Sequence, residues 1–209
     1  VFDPQDPARE LERFRFPRQR GGRRLCISDF FRGVDAPGRD DAGVSFVIFG
    51  SGFGRPVGAP QTSANFTCVD RHSDGTVACA GNNTLGNLGD GSFSHSGTPR
   101  VVGGNKKLAG VAVGWGHACA LDPNQNAWCW GLNDSGQLGN GNRVSSALPV
   151  QVRGTVKFRA LSAGERHTCG IGTDNNLYCW GANGEGQLGR GYVGSYDWEP
   201  RRPLGPFRL

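Results

Sequence analysis

The 209-residue chain contains no methionine, not even at position 1, so its start is expected to have been processed or cut from something longer. No stretch approaches the roughly eighteen apolar residues that a membrane-spanning helix needs. The opening VFDPQDPARE lacks the basic-then-apolar profile of a secretory leader, so neither a membrane anchor nor a signal peptide is expected in the sequence as it stands. Runs of strong helix formers are scarce. With 35 glycines and 12 prolines, that scarcity predicts short strands and many turns, and the expected class is all-β. A Gly-x-Ser-x-Gly elbow is missing, as is any credible Ser/His/Asp or Cys/His set, which removes support for nucleophilic catalysis.

What the chain does have is one sentence written three times. The copies read FTCVDRHSDGTVACAGNNTLGNLGDG from Phe66, HACALDPNQNAWCWGLNDSGQLGNG from His117 and HTCGIGTDNNLYCWGANGEGQLGRG from His167. The unit is about fifty residues. If Cys119 faces Cys129, Ala120 opposes Trp128 and Leu121 opposes Ala127 around a Pro123-Asn124-Gln125 turn. The same register sets Thr168 against Trp180 and Gly170 against Tyr178, and closes Cys68 on Cys79 around His72 to Gly75. Asn- and Asp-Gly-rich turns suit tight hairpins because those residues tolerate the left-handed backbone. Strand alternation then puts Ala118 and Ala120 on one face with Trp128 and Trp130, large beside small, as stacked sheets require. The first copy departs from this: Ala78 and Ala80 replace the aromatics and Phe66 replaces the histidine, as in a terminal repeat.

After each hairpin comes Gly-x-Asn-x-x-Gly-x-Leu-Gly-x-Gly, as Gly81/Asn83/Gly86/Leu88/Gly89/Gly91 and its counterparts beginning at Gly131 and Gly181. Fixed glycines mark positive φ or close backbone approach. No lysine follows, so the motif reads as repeat structure rather than as a phosphate cradle. Two in-register copies of Cys-Trp-Gly and three of Gly-x-Leu-Gly resemble the regulator of chromosome condensation repeat family over about residues 63–209. That resemblance implies a β-propeller of four-stranded blades, commonly seven, acting as a platform for protein partners. Three blades fall short of the four to eight that close a propeller. Open strand edges therefore predict self-association to complete the ring, or a fragment of something longer.

The domain plan is a non-repeat N-terminal segment (1–52), a Gly/Pro linker (53–62), and three repeats at 63–110, 111–160 and 161–209. The first segment carries two apolar runs that look like a short β segment. Its string FRFPRQRGGRRLCISDFF, followed later by VSFVIFG, resembles a short piece of the activation domain of cobalamin-dependent methionine synthase, which suggests a fusion or chimera. The net charge of +5 is concentrated in Arg13, Arg15, Arg18, Arg20, Arg23 and Arg24. This run is a weak candidate for binding an anion; with no stacking platform or nucleic-acid fold beside it, a nucleic-acid partner is not expected.

Seven cysteines divide into three hairpin pairs plus Cys26. In an oxidising compartment the pairs Cys68 with Cys79, Cys119 with Cys129 and Cys169 with Cys179 form disulfides, each stabilising by roughly 2.5 to 3 kcal/mol. Paired cysteines favour an extracellular or periplasmic location. In a reducing one, His117, Cys119 and Cys129, and likewise His167, Cys169 and Cys179, share a sheet face and could hold zinc. A zinc-bound water would then make the chain a hydrolase of esters or phosphoesters. The favoured expectation is a non-catalytic protein-binding module without a cofactor; the alternative is that zinc hydrolase. Asn65, Asn82 and Asn133 begin glycosylation acceptor triplets.

Overall fold

The computed structural model describes residues 60–71 and 73–205. The N-terminal readings therefore lie outside the described residues: the arginine run from Arg13 to Arg24, Cys26, the β segment and the methionine-synthase likeness. His72 lies outside them too.

The described chain is three four-stranded antiparallel sheets in sequence order. The first is β1 (Gln61–Thr62), β2 (Phe66–Arg71), β3 (Thr76–Gly81) and β4 (Ser96–Val101); the second is β5 (Ala109–Val113), β6 (His117–Leu121), β7 (Ala127–Gly131) and β8 (Ser146–Gln151). The third is β9 (Phe158–Ala163), β10 (His167–Gly172), β11 (Leu177–Ala182) and β12 (Tyr196–Arg201). Among the described residues there is no α-helix, and the three sheets form propeller-type blades. β1 falls within the stretch read as linker.

The hairpins follow the cysteine register. Cys119 pairs with Cys129, Ala120 with Trp128 and Leu121 with Ala127. Thr168 pairs with Trp180 and Gly170 with Tyr178, and Cys68 pairs with Cys79. The outer strands contain Pro99, Pro149 and Pro200, residues that cannot donate to a ladder and so belong at an edge. There β4, β8 and β12 each pair with only one neighbour, through a register shift.

The core lies between the sheets. Phe66, Cys68, Val77 and Cys79 of the first sheet pack against Ala118, Ala120 and Trp130 of the second. Cys119, Ala127 and Cys129 of the second meet Phe158, Tyr178 and Trp180 of the third. Trp130 and Trp180 are fully buried in matching surroundings. Each ring passes over the glycine turn of the preceding sheet. A Cβ at Gly89 would lie 2.7 Å from Cδ1 of Trp130, and one at Gly139 2.7 Å from Nε1 of Trp180. The Gly-x-Leu-Gly motif therefore lets an indole approach bare backbone; it is not a phosphate loop.

Antiparallel order gives the arc two ends. One carries the loops β1–β2, β3–β4 and their equivalents; it is the loop end. The other carries the hairpin turns and the connections between sheets; it is the hairpin end.

Candidate docking face

Most of the repeat-defining residues are spent on structure. Asn133 is wholly buried, its Oδ1 accepting from Leu138 N at 2.9 Å and its Nδ2 donating to the carbonyls of Asn142 and Val144. Asn83 and Asn183 peg their loops the same way. Asn133 is thereby removed as a glycosylation acceptor in the folded protein, whereas Asn65 is exposed and Asn82 half-buried.

His117 is buried, with Nε2 2.9 Å from Thr168 Oγ1, whose hydroxyl donates to the Gln137 carbonyl at 3.0 Å. The hydroxyl's proton is committed, so Nε2 carries the imidazole proton and Nδ1 is left buried without a partner. Burial, with a smaller contribution from His167, pushes the His117 pKa down to about 3. His167 is half-buried and shifted in the same direction by desolvation. The cysteine sulfurs stand 2.08 Å apart in Cys68/Cys79, 2.15 Å in Cys119/Cys129 and 2.17 Å in Cys169/Cys179. His117, Cys119 and Cys129 do share a sheet face, but the sulfurs face each other and the imidazole faces Thr168. Among the described residues no group of three or more His, Cys, Asp or Glu side chains converges as a metal-holding set. Of the two other histidines, His95 sits in the β3–β4 loop, where its Nδ1 accepts from Asn83 N at 2.9 Å.

The two ends of the arc differ in chemistry. At the hairpin end the turns are polar and closed by aspartates. Asp122 accepts from Asn124 N and Asn126 N, each at 2.9 Å, and from Trp128 Nε1 at 3.0 Å. Burial pushes the Asp122 carboxyl up, but these bonds outweigh it and its pKa is lowered. Asp174 is held well below the usual carboxylate range, chiefly by the Tyr178 hydroxyl and then by Asn176.

The loop end is aromatic and cationic. Arg166 lies over the Trp115 ring at 6.0 Å while its Nη1 meets Asp134 Oδ2 at 2.8 Å. Arg143 donates from Nε to the Asp134 carbonyl and stacks over Tyr196 at 4.9 Å. Trp115–Arg166–Asp134–Arg143–Tyr196 is thus one connected surface bridging the second and third sheets. Phe93, Val144, Tyr192 and Val193 are exposed on the same end. Exposed aromatics pinned by arginines are what protein interfaces select, because they bring contact area with little side-chain freedom left to lose.

A groove of about 360 Å³ runs between the inner strands β1, β5 and β9. Asp70 lies in it with both oxygens occupied, by Gly110 N at 2.9 Å and Val111 N at 3.1 Å. Arg159 and Ser162 also line it; among its described lining residues there is no histidine, and the one carboxylate, Asp70, is taken up by those two backbone amides.

Sequence reading missed the loop-end surface. Trp115, Arg143 and Arg166 fall between the repeat-defining positions, and their counterparts differ from copy to copy. The available signal was an exposed-type tryptophan where the third copy has Glu165.

Comparison with known proteins places the repeat. The Regulator of chromosome condensation (RCC1) repeat profile matches residues 125–171 and 174–207, and a second profile of the same description matches 109–137 and 158–187. No curated protein matches the chain. Among solved structures, Prp20p from Saccharomyces cerevisiae, which binds Gsp1p and histones, is similar at 19% identity with a TM-score of 0.61. It covers 72% of this chain and 39% of that one. Yeast Prp20 in its complex with Kap60 gives the same TM-score and identity, with 72% and 37% coverage. Human WBSCR16 is similar at 18% identity with a TM-score of 0.63, covering 72% and 38%. The chain therefore spans under two fifths of the length of the structures it resembles.

Proposed function

Because the chain carries regulator of chromosome condensation repeats on a propeller-type scaffold, we propose that it is a non-catalytic protein-binding module, working without a cofactor, whose partner docks on the loop end. The observation that carries this reading is the Trp115–Arg166–Asp134–Arg143–Tyr196 surface, whose two arginine-pinned rings are exposed, whereas at the hairpin end Lys106 and Arg202 stack on Trp128 and Tyr178, rings that are half-buried and buried. The structural neighbour Prp20p binds Gsp1p and histones, and both are concrete first probes. With a net charge of +5, this chain favours an acidic partner over the basic histones.

The test is binding of the purified chain to a Gsp1p-type protein and to histones by interferometry. Trp115→Ala and Arg166→Ala are each expected to weaken the productive partner by about 2 kcal/mol, roughly thirtyfold, whereas Asn124→Ala at the hairpin end leaves affinity unchanged. Equal affinity for all three variants would show that the loop end is not the docking face.

The same reading takes the three facing cysteine pairs as disulfides and the chain as a product of an oxidising compartment. Under denaturing conditions, alkylation without reductant is expected to label Cys26 alone, and prior reduction to expose six further thiols. Seven labels without reductant would return the cysteines to the thiol state.

A further inference from the structure

The joint between the second and third sheets carries an ionic cluster that the joint between the first and second sheets does without. Aligned on the repeat, Asp134, Arg143 and Arg166 stand where the preceding copy has Thr84, Phe93 and Gly116. The first joint forms nonetheless. There Trp130 Nε1 donates to the Asn87 carbonyl at 3.0 Å, as Trp180 Nε1 donates to the Gln137 carbonyl at 2.9 Å in the second. Both joints also make the same backbone bond at 2.9 Å, from Gly91 N to the Ala147 carbonyl and from Gly141 N to the Trp198 carbonyl. Closing one sheet on the next therefore does not call for the two arginines and the aspartate, and their presence at one joint needs another reason.

Asp134 ties the cluster together. Its Oδ1 accepts from Ser135 Oγ at 3.1 Å and from Gln137 Nε2 at 3.2 Å, which fixes the direction of the carboxylate. Its Oδ2 accepts from Arg166 Nη1 at 2.8 Å, and its backbone carbonyl accepts from Arg143 Nε. Each guanidinium is thus held by a single nitrogen and laid over a different ring, Arg166 over Trp115 and Arg143 over Tyr196. Among the described residues no acceptor meets Nη1 or Nη2 of Arg143, or Nε or Nη2 of Arg166. Each arginine accordingly keeps one free two-nitrogen edge, the fork that matches the two oxygens of a carboxylate. Two guanidiniums around one carboxylate leave the cluster with surplus positive charge, and Glu165, which precedes Arg166, forms no ion pair with either among the described residues. Trp115 and Tyr196 remain 43% and 47% exposed, and Val144, next to Arg143, is 70% exposed. The cluster lies on the loop end, whereas β1 enters and β12 leaves at the hairpin end.

We infer that Asp134 is a positioning residue, holding Arg143 and Arg166 with one free fork each, and that those forks take the carboxylates of an acidic peptide segment whose apolar side chains cover Trp115 and Tyr196. This rests on the loop end being the docking face and goes further, naming the group recognised and the residue that sets up its recognition. Charge complementarity selects the occupant. A side-chain carboxylate is planar and takes two donors side by side, which is what each fork offers. A phosphate is tetrahedral and is held best by donors converging on one point, whereas these guanidiniums are pinned over separate rings. The exposed rings call for apolar side chains on either side of the acid, since covering them removes apolar area from water.

The test titrates the isotopically labelled full chain with the acetylated, amidated peptide Tyr-Glu-Glu-Tyr and with its neutral counterpart Tyr-Gln-Gln-Tyr. Saturable shifts at the side chains of Arg143, Arg166 and Trp115 are expected, with the glutamate peptide bound about tenfold tighter. Equal affinities overturn the proposal, as do shifts scattered away from these residues. Asp134→Asn then separates positioning from charge. Loss of a negative charge alone would tighten the glutamate peptide. Loss of the residue that holds both forks is expected to weaken it by about fivefold and to leave the glutamine peptide unchanged. A tightened glutamate peptide, or an equal loss for both peptides, overturns the positioning role. Asp134→Thr repeats the measurement with the residue type that the first sheet already carries as Thr84, so the comparison does not hang on one variant folding. A phosphotyrosine form of the glutamine peptide that outbinds the glutamate peptide would make phosphate the ligand and overturn the carboxylate assignment. Trp115→Ala is expected to weaken both peptides and keep their ratio. If the two peptides bind alike and both weaken on Trp115→Ala, the docking face stands and carboxylate recognition fails; if the glutamate preference holds but Trp115→Ala changes nothing, the docking face fails with it.

Discussion

The imidazole of His117 shows how much a single side chain couples to its surroundings. In the unfolded chain it titrates near 6.5; in the fold, burial holds it neutral down to about pH 3. Between those values the unfolded state binds a proton that the native state does not, so stability falls as pH falls, by about 1.4 kcal/mol per pH unit, and the loss ends below the folded value. Phe66 occupies the equivalent place in the first sheet, so His117→Phe is expected to fold and to flatten this dependence. Denaturant midpoints at pH 7 and pH 4.5 measure it, and an undiminished slope in the variant would assign the proton elsewhere. At this scale the sequence was informative wherever the repeat demanded one residue type, as for Cys119, Trp130, Asn133 and Gly139. It was silent about Arg166 and Trp115, because a loop residue's neighbours depend on how the sheets are set, and no local spacing encodes that.

At the level of elements, the β2–β3, β6–β7 and β10–β11 hairpins were legible to the residue, since two cysteines and a turn leave one register. The strands flanking them were not. β4, β8 and β12 each contain a proline and pair through a register shift, and β1 is two residues long, so neither alternation nor length announces them. The glycine turns permit a paired comparison. Gly136 and Gly186 share nearly the same φ, +78° and +77°, but only Gly136 is pressed by the next sheet. Gly186→Ala is expected to cost about 1 kcal/mol, the strain of a left-handed alanine. Gly136→Ala is expected to cost at least about 2 kcal/mol, because Trp198 must also move. Thermal denaturation of the two variants side by side reads the difference directly, and equal losses would show that the sheets are not in close contact at that turn.

At the largest scale, the cores among the described residues lie between sheets adjacent in sequence, so stability is distributed along the array as in other repeat proteins. The second sheet is covered on both faces, and β6 and β7 are expected to show the slowest amide exchange, with β10 and β11 opening sooner. Protection that is highest in the third sheet would contradict a one-dimensional arrangement. The repeat number and the all-β class were plain in the sequence. The unequal chemistry of the two ends was not, because it emerges only when loops from separate copies are brought side by side.

Each sulfur pair closes a span of only 10 or 11 residues inside a single sheet, and none links one sheet to the next. Drawn out from its two termini, the chain would surrender nearly all its contour length, at about 3.3 to 3.6 Å per residue, with every bridge intact. Cross-links placed this way would harden individual blades against local fraying while adding no tie between one blade and the next.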